Sequence, residues 1–262
     1  MVAVRGSHLS NPHDFEIEQW CSSLKLTAPV EKSLIDAWYY AQAKIAEHAD
    51  QMENAILTLQ SGVEMVEILH EMNMDSESLL TAMLFPLVAN KIVDWEQIQE
   101  HFGPKITKLL KGVEEMDNIR QLNASHSANA SQVDNVRRML LAMVDDFRCV
   151  IIKLAERITF LRNAENHFCE EEKVLAAKEC SNIYAPLANR LGIGQLKWEL
   201  EDYCFRYLHP TEYKRIAKLL HERRLDREHY IEEFVGHLRA EMKAEGVKAE
   251  VYGRPKHIYS IW

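Results

Sequence analysis

Apolar residues recur every three or four positions along most of this 262-residue chain, and that period marks out a series of amphipathic helices. The first starts after Thr27, takes Pro29 into its opening turn and puts Leu34, Trp38, Ala41 and Ile45 on one face. VEMVEILHEM (63–72) is the second. Asp75 caps a third, SESLLTAML, whose apolar positions run nearly all the way round and so predict burial on every side. DWEQIQEHFGP is marked at both ends: Asp94 and Gln97 make a capping box, while Gly103 and Pro104 form a stop. NASHSANAS (123–131) is small, polar and aperiodic, the pattern of a surface loop.

QVDNVRRMLLAMVDDFR follows, with Val133, Val136, Leu140, Met143, Val144 and Phe147 on one face, a core stripe rather than a binding box. Next come IIKLAERITFLR, EEKVLAAKECSNIYAPLANRLG, QLKWELEDYCFRYL and EYKRIAKLLHERRL, and then REHYIEEFVGHLRAEMKAEG behind an Asp226 cap. Gly246 ends that helix and the period drops to two. Val247, Ala249 and Val251 alternate with Lys248, Glu250 and Tyr252, which predicts a half-buried strand. A strand starting with the sixteenth residue from the end has no partner in the sequence, and an unpaired edge is unfavourable. The expectation is a piece of a longer protein.

Only 9 Gly and 7 Pro agree with long helices and few turns. There is no apolar run of membrane-span length and no signal-peptide core in MVAVRGSHLSNPHDF. Five widely spaced cysteines, without a CxxC, fit reduced cytoplasmic thiols better than a disulfide frame or a zinc site. A net charge of −9 disfavours broad binding to nucleic acid or anionic lipid.

The residues alone offer little chemistry. No glycine-rich phosphate loop, HExxH or G-x-S-x-G is present. The doublet Asp145-Asp146 fits the wet side of a helix better than a ligand pair, and HERRLDREH (221–229) fits a salt-bridged surface better than a phosphate grip. One stretch stands out. TAMLFPLVAN (81–90) drives a proline into a helix interior, where the missing N–H and the ring clash cost about 3 kcal/mol.

The stretches AAKECSNIYAPLANRLGIGQLKWELEDYCFRYLHP and VYGRPKHIYSIW resemble the RelA/SpoT family, the bacterial makers and breakers of (p)ppGpp, as does QVDNVRRMLLAMVDDFRCVIIKLAERI upstream of them. The resemblance covers about residues 60 to 262 and is nearest to the synthetase-only branch. It implies a mostly α fold: an HD-domain-like helical bundle, then linking helices, then the first β-strand of an α+β nucleotidyltransferase-like synthetase domain. The corresponding divisions are an N-terminal extension (1–26), a degenerate HD-type domain (27–195), linking helices (196–245) and the start of the synthetase (246–262).

In active hydrolases of the family the helix matching TAMLFPLVAN reads like AALLHDVVEDT. Its His-Asp doublet helps hold Mn²⁺ and its Glu-Asp pair assists attack on the 3′-pyrophosphate, with an earlier His and a later Asp, in K-L-A-D-R, completing the shell. Here the doublet is Phe85-Pro86, the acidic pair is Ala89-Asn90, the earlier His falls by spacing at Ser61, and only Glu156, in KLAER, keeps a carboxylate. One carboxylate cannot hold a catalytic divalent ion. The resemblance therefore implies a silent hydrolase domain without Mn²⁺, in which Phe85 and Pro86 fill the space of the ion.

At the other end it implies that Arg254 lies against the adenine of ATP, that Lys256 nears the phosphates and that Ser260 bonds a phosphate oxygen. The complete protein would move pyrophosphate from ATP to the 3′-hydroxyl of GTP or GDP with Mg²⁺, and would meet the ribosome and uncharged tRNA through other regions. These 262 residues alone would neither make nor cleave (p)ppGpp. The silent domain would contact the synthetase within the chain, through a surface including Tyr184, Leu187, Leu191 and Trp198. Two other readings compete: a working metal-dependent HD phosphohydrolase, and a helical interaction module of unrelated descent.

Overall fold

The computed structural model describes residues 15–48, 55–123, 146–222, 224–251, 253 and 256–262. The NASHSANAS stretch after Asn123, most of the helix expected over 132–148, Asp145 and Arg254 lie outside the described residues, as do the side chains of 221–228.

Eleven helices are described: α1 (Ile17–Ser23), α2 (Ala28–Glu47), α3 (Ala55–Glu71), α4 (Ser76–Ala89), α5 (Trp95–Asn123), α6 (Phe147–His167), α7 (Glu170–Glu179), α8 (Ala185–Arg190), α9 (Gly194–Leu208), α10 (Pro210–Glu222) and α11 (Arg224–Ala244). α2 begins as its sequence dictates, with Thr27 in extended conformation, proline in the first turn, and Leu34, Trp38, Ala41 and Ile45 buried. α4 is the centre of the bundle. It packs against α2, α3, α5 and α6 and buries its residues from Leu79 to Val88 save one, which is why its apolar positions ring it. Its start is fixed by the Asp75 carboxylate, which accepts from the Ser78 N–H at 2.8 Å. Gly62 lets α3 approach closely: a β-carbon there would sit 2.9 Å from the Met83 carbonyl oxygen of α4.

The capping box of Asp94 and Gln97 is formed, with Gln97 N–H to Asp94 Oδ1 at 2.9 Å and Asp94 N–H to Gln97 Oε1 at 3.4 Å. Gly103 breaks the helix with φ +79°, as its sequence predicts, but Pro104 opens a new helical stretch at once. That stretch buries Ile106, Leu109, Leu110, Val113 and Met116, which repeat with the 3.6-residue period of a helix.

Asp146 also departs from expectation. It is not on a solvated helix face. It sits in extended conformation as the N-cap of α6, accepting from Arg148 N–H at 3.0 Å, so Phe147 and Arg148 belong to the helix that follows. Arg148 then reaches Asp75 (2.7 Å) and Glu77 (2.9 Å), tying the starts of α4 and α6 together. The single helix expected over EEKVLAAKECSNIYAPLANRLG is divided by a π-helical turn, Cys180–Tyr184, in which the Ala185 N–H reaches back to the Cys180 carbonyl. The wider turn stands directly before Pro186, the residue that has no N–H for a regular ladder. α11 starts at Arg224, so Asp226 lies within it rather than ahead of it. Gly246 closes α11 with φ +70° and the two reverse bonds of a Schellman motif, Val247 N–H to Met242 O and Gly246 N–H to Lys243 O.

The strand expected after Gly246 is not found: among the described residues there is no strand. A strand needs a neighbour to form its ladder. Here the Val251 carbonyl instead accepts from the Arg239 side chain, at 2.6 Å and 3.0 Å. Residues 256–262 turn back onto α9, where Ile258 is buried. One hydrophobic core joins the whole bundle, from Ile17, Trp20 and Cys21 of α1 to Leu196, Leu200, Tyr203 and Cys204 of α9.

Candidate functional site: a cavity between α3, α4 and α6

A cavity of about 280 Å³ opens where α3, α4 and α6 meet, and its wall includes Ser61, Phe85, Pro86, Ala89, Asn90 and Glu156. The six positions singled out in the sequence, spread over 96 residues from Ser61 to Glu156, thus surround one space. Helical spacing explains the grouping. On α3, Leu57, Thr58, Ser61 and Met65 lie three or four residues apart on one face, and on α6 Glu156, Thr159, Phe160 and Asn163 do the same. Phe168, just past the end of α6, closes the wall by packing tilted against Phe160 with ring centroids 4.5 Å apart.

Pro86 sits inside α4 without breaking it, buried with Phe85 and Leu87. Asn90 is the C-cap. Its backbone N–H and its side-chain N–H both reach the Pro86 carbonyl, at 3.1 Å and 2.8 Å, and the same side-chain nitrogen donates to Thr58 Oγ1 at 3.3 Å. The Asn90 amide is therefore used to finish α4 and fasten it to α3.

Glu156 is the carboxylate of the wall, and its charge is met from its own helix. Arg157 binds both of its oxygens, with Nε to Oε2 at 2.6 Å, and Lys153 Nζ lies 3.0 Å from Oε2. Burial alone would raise this carboxyl, but the charges and hydrogen bonds of Arg157 and Lys153 outweigh it and hold the pKa down to about 2. Lys153 is fully buried and rests 5.2 Å from the centroid of the Phe85 ring; Arg157 lies 5.1 Å from that of Phe160.

Sequence reading missed Lys153 and Arg157 because charged residues on an amphipathic helix read as its wet side. Thr159, Phe160 and Asn163 were legible in principle, at three, four and seven residues beyond Glu156. Phe168 carried no signal short of the fold.

The second candidate group is only partly described. Lys256 and Ser260 are both exposed on the segment folded against α9. The segment is held by Asp202, which pairs with His257 Nδ1 at 3.0 Å and accepts from the Tyr259 N–H at 2.8 Å, and by stacking of Trp198 on His257 at 5.7 Å. Of the surface named from sequence, Tyr184 and Leu187 are buried in the helical core, whereas Trp198 faces this segment.

The HD domain family matches residues 37–194 of this chain, which take in the three helices around the cavity. The whole chain is 76% identical to a GTP pyrophosphokinase of Haemophilus influenzae and 63% identical to that of Escherichia coli K12, in each case covering 35% of the relative. It is 36% identical over 195 residues, 74% of its length, to a guanosine-3′,5′-bis(diphosphate) 3′-pyrophosphohydrolase of Aquifex aeolicus, covering 27% of that protein. The chain belongs to the RelA/SpoT family of HD-domain proteins. It spans about a third of the length of the GTP pyrophosphokinases it matches.

HD-domain proteins generally use divalent metals, and the donors around this cavity do not fit one. A catalytic ion needs several imidazole or carboxylate ligands converging on one point. The wall supplies one carboxylate, already bound to two cations, and neutral hydroxyl and amide groups. Among the described residues no group of three His, Cys, Asp or Glu side chains is arranged to hold a metal. No described helix is long and apolar enough to cross a membrane.

Proposed function

We propose that this chain is the amino-terminal part of a GTP pyrophosphokinase, in which residues 27–195 are a hydrolase-like domain that has lost catalysis and acts on the synthetase that follows. The complete protein transfers pyrophosphate from ATP to the 3′-hydroxyl of GTP or GDP with Mg²⁺. Residues 196–245 link the two parts, and Arg254, Lys256 and Ser260 contribute ATP contacts once residues from 246 onward join the synthetase fold. It works in the cytoplasm, where ribosome and uncharged tRNA engage other regions of the protein. The observation that carries the reading is the donor set of the cavity: Ser61, Phe85, Pro86, Ala89 and Asn90 surround a Glu156 that is neutralised by Lys153 and Arg157.

The test is hydrolysis of ppGpp by this chain with added Mn²⁺, followed by anion-exchange chromatography. No release of pyrophosphate is expected, and robust release would overturn the loss of catalysis. The regulatory half is tested separately, by comparing basal and stimulated synthesis of the full protein with and without residues 1–190. Unchanged rates would refute it.

A further inference from the structure

We infer that Asp202 of α9 is a positioning residue for ATP: its carboxylate fixes the turn that carries Ser260 and follows Lys256, and so presents both side chains to the phosphates. The inference rests on the reading that Lys256 and Ser260 contact ATP.

Residues 257–262 have the hydrogen bonds of an opening helical turn. The N–H groups of Ser260 and Ile261 reach the carbonyls of His257 and Ile258, each at 3.0 Å, and the Trp262 N–H reaches the Ile258 carbonyl at 3.2 Å. The first N–H groups of such a turn have no partner inside it and ordinarily take one from a side chain just ahead in sequence. Here the cap comes from another helix. Asp202 Oδ1 accepts from the Tyr259 N–H at 2.8 Å, and Asp202 Oδ2 lies 3.0 Å from His257 Nδ1. An ionised carboxylate can only accept, so Nδ1 carries the proton of that bond.

Each anchored residue stands beside one of the ATP candidates: His257 follows Lys256, and Tyr259 precedes Ser260. Lys256 and Ser260 are themselves exposed, and it is the chain next to each that α9 holds. The Asp202 and His257 side chains are 16% and 14% exposed, which shields their bond from the losses that make a surface ion pair weak. Trp198, one turn earlier on α9, stacks on His257, and Ile258 is buried, so the turn has an apolar seat as well. α9 is in turn tied to the bundle, by Glu199 to Arg162 of α6 at 2.8 Å. Two side chains four positions apart must meet one ligand together, and holding their backbone beforehand removes part of the ordering cost of binding.

The test is steady-state synthesis by the full protein, with ATP and GTP varied in turn. Asp202→Ala should raise KM for ATP about tenfold, the low end of what a hydrogen bond to a charged group is worth. KM for GTP and kcat should stay nearly unchanged. Asp202→Asn, which keeps the shape and one acceptor for the Tyr259 N–H, should raise KM for ATP about threefold. A residue that merely supported the fold would reduce the amount of active enzyme, and so lower kcat without moving KM for ATP. The inference is overturned if KM for ATP is unchanged in Asp202→Ala, if KM for GTP rises with it, or if kcat alone falls. Lys256→Ala tells this failure from that of the underlying reading. If it raises KM for ATP and Asp202→Ala does not, the ATP contact stands and the positioning role falls. If it leaves KM for ATP unchanged, the ATP contact fails and takes the inference with it.

Discussion

Two acidic residues, one on α6 and one facing it from α3, are held in opposite ways. Glu156, at the cavity, is neutralised by Lys153 and Arg157, three residues before it and one after, so its charge is settled within a single helix. Glu64 of α3, 1% exposed, is settled between helices. It accepts from Gln60 at 2.9 Å and from Asn163 of α6 at 3.0 Å, and it lies 3.5 Å from Arg162, which in turn binds Glu199 of α9 at 2.8 Å. The first arrangement leaves the helices free to part around a cavity. The second joins three helices at a fixed register, because any shift leaves a charge without its partner in a medium of low dielectric. Polar side chains are thus kept in this bundle where they specify packing, while apolar ones make up much of the cavity wall.

The sharpest way to break the comparison is Arg162→Ala. Removing one member of a buried pair leaves the other uncompensated, a cost of about 3–5 kcal/mol. Both Glu64 and Glu199 lose a partner here, so the urea midpoint should fall by that amount of free energy, and the midpoint of the thermal transition with it. A loss under about 1 kcal/mol would mean that the seam is no more structural than a surface ion pair.

Glu156→Gln should cost less, about 2 kcal/mol at neutral pH, since its shift from 4.5 to about 2 bounds the contribution near 3 kcal/mol. The sign follows from the depressed pKa. The contribution is complete above about pH 4.5 and is lost as the pH falls toward about 2, so the native protein should lose stability over that window. Asp146 and Glu77 are also lowered, chiefly by hydrogen bonds from Arg148, and add to the same slope. The informative quantity is therefore the difference between protein and variant, which should shrink as the pH falls. A difference independent of pH would remove the ion pair as its cause.

Gly62→Ala comes next, at about 1.5 kcal/mol, because the new methyl meets a backbone oxygen of α4 at 2.9 Å and cannot be accommodated by a rotamer change. It should also alter the cavity, since Ser61 and Phe85 flank the contact on α3 and α4. Loss of stability without a change in the methyl spectrum of Met65 would separate helix spacing from cavity shape.

What was legible in the sequence was what local chemistry dictates. Asp75, the Asp94–Gln97 pair, Gly103 and Gly246 act through backbone groups within a few residues, and each does in the structure what its position predicts. The Asp226 cap failed because α11 extends back to Arg224, a choice the local sequence does not force. The π turn before Pro186 and the course of residues 247–251 depend on what packs beside them, and period alone does not carry that. The cavity divides the same way. Resemblance supplied six of its positions, but the burial of Lys153 and the closure by Phe168 arise from the docking of helices, and a fully buried lysine is the reverse of what its residue type suggests.

The smallest effect expected is that of Asp202→Ala, and it tests how far the seam extends. Asp202 lies three residues beyond Glu199 on α9, and so on nearly the same face, but it turns to the segment 256–262 rather than to the bundle. Its two bonds hold a segment whose Tyr259, Ile261 and Trp262 are exposed, so little buried area depends on them. The urea midpoint should move by less than about 1 kcal/mol. Release of the segment should show instead as faster tryptic cleavage after the exposed Lys256, by several fold, because local opening rather than global unfolding admits the protease. If Asp202→Ala lowered global stability as far as Arg162→Ala, the segment would have to count as part of the bundle. Equal cleavage rates in both proteins would mean that the Trp198 and Phe205 ring contacts hold the segment on their own.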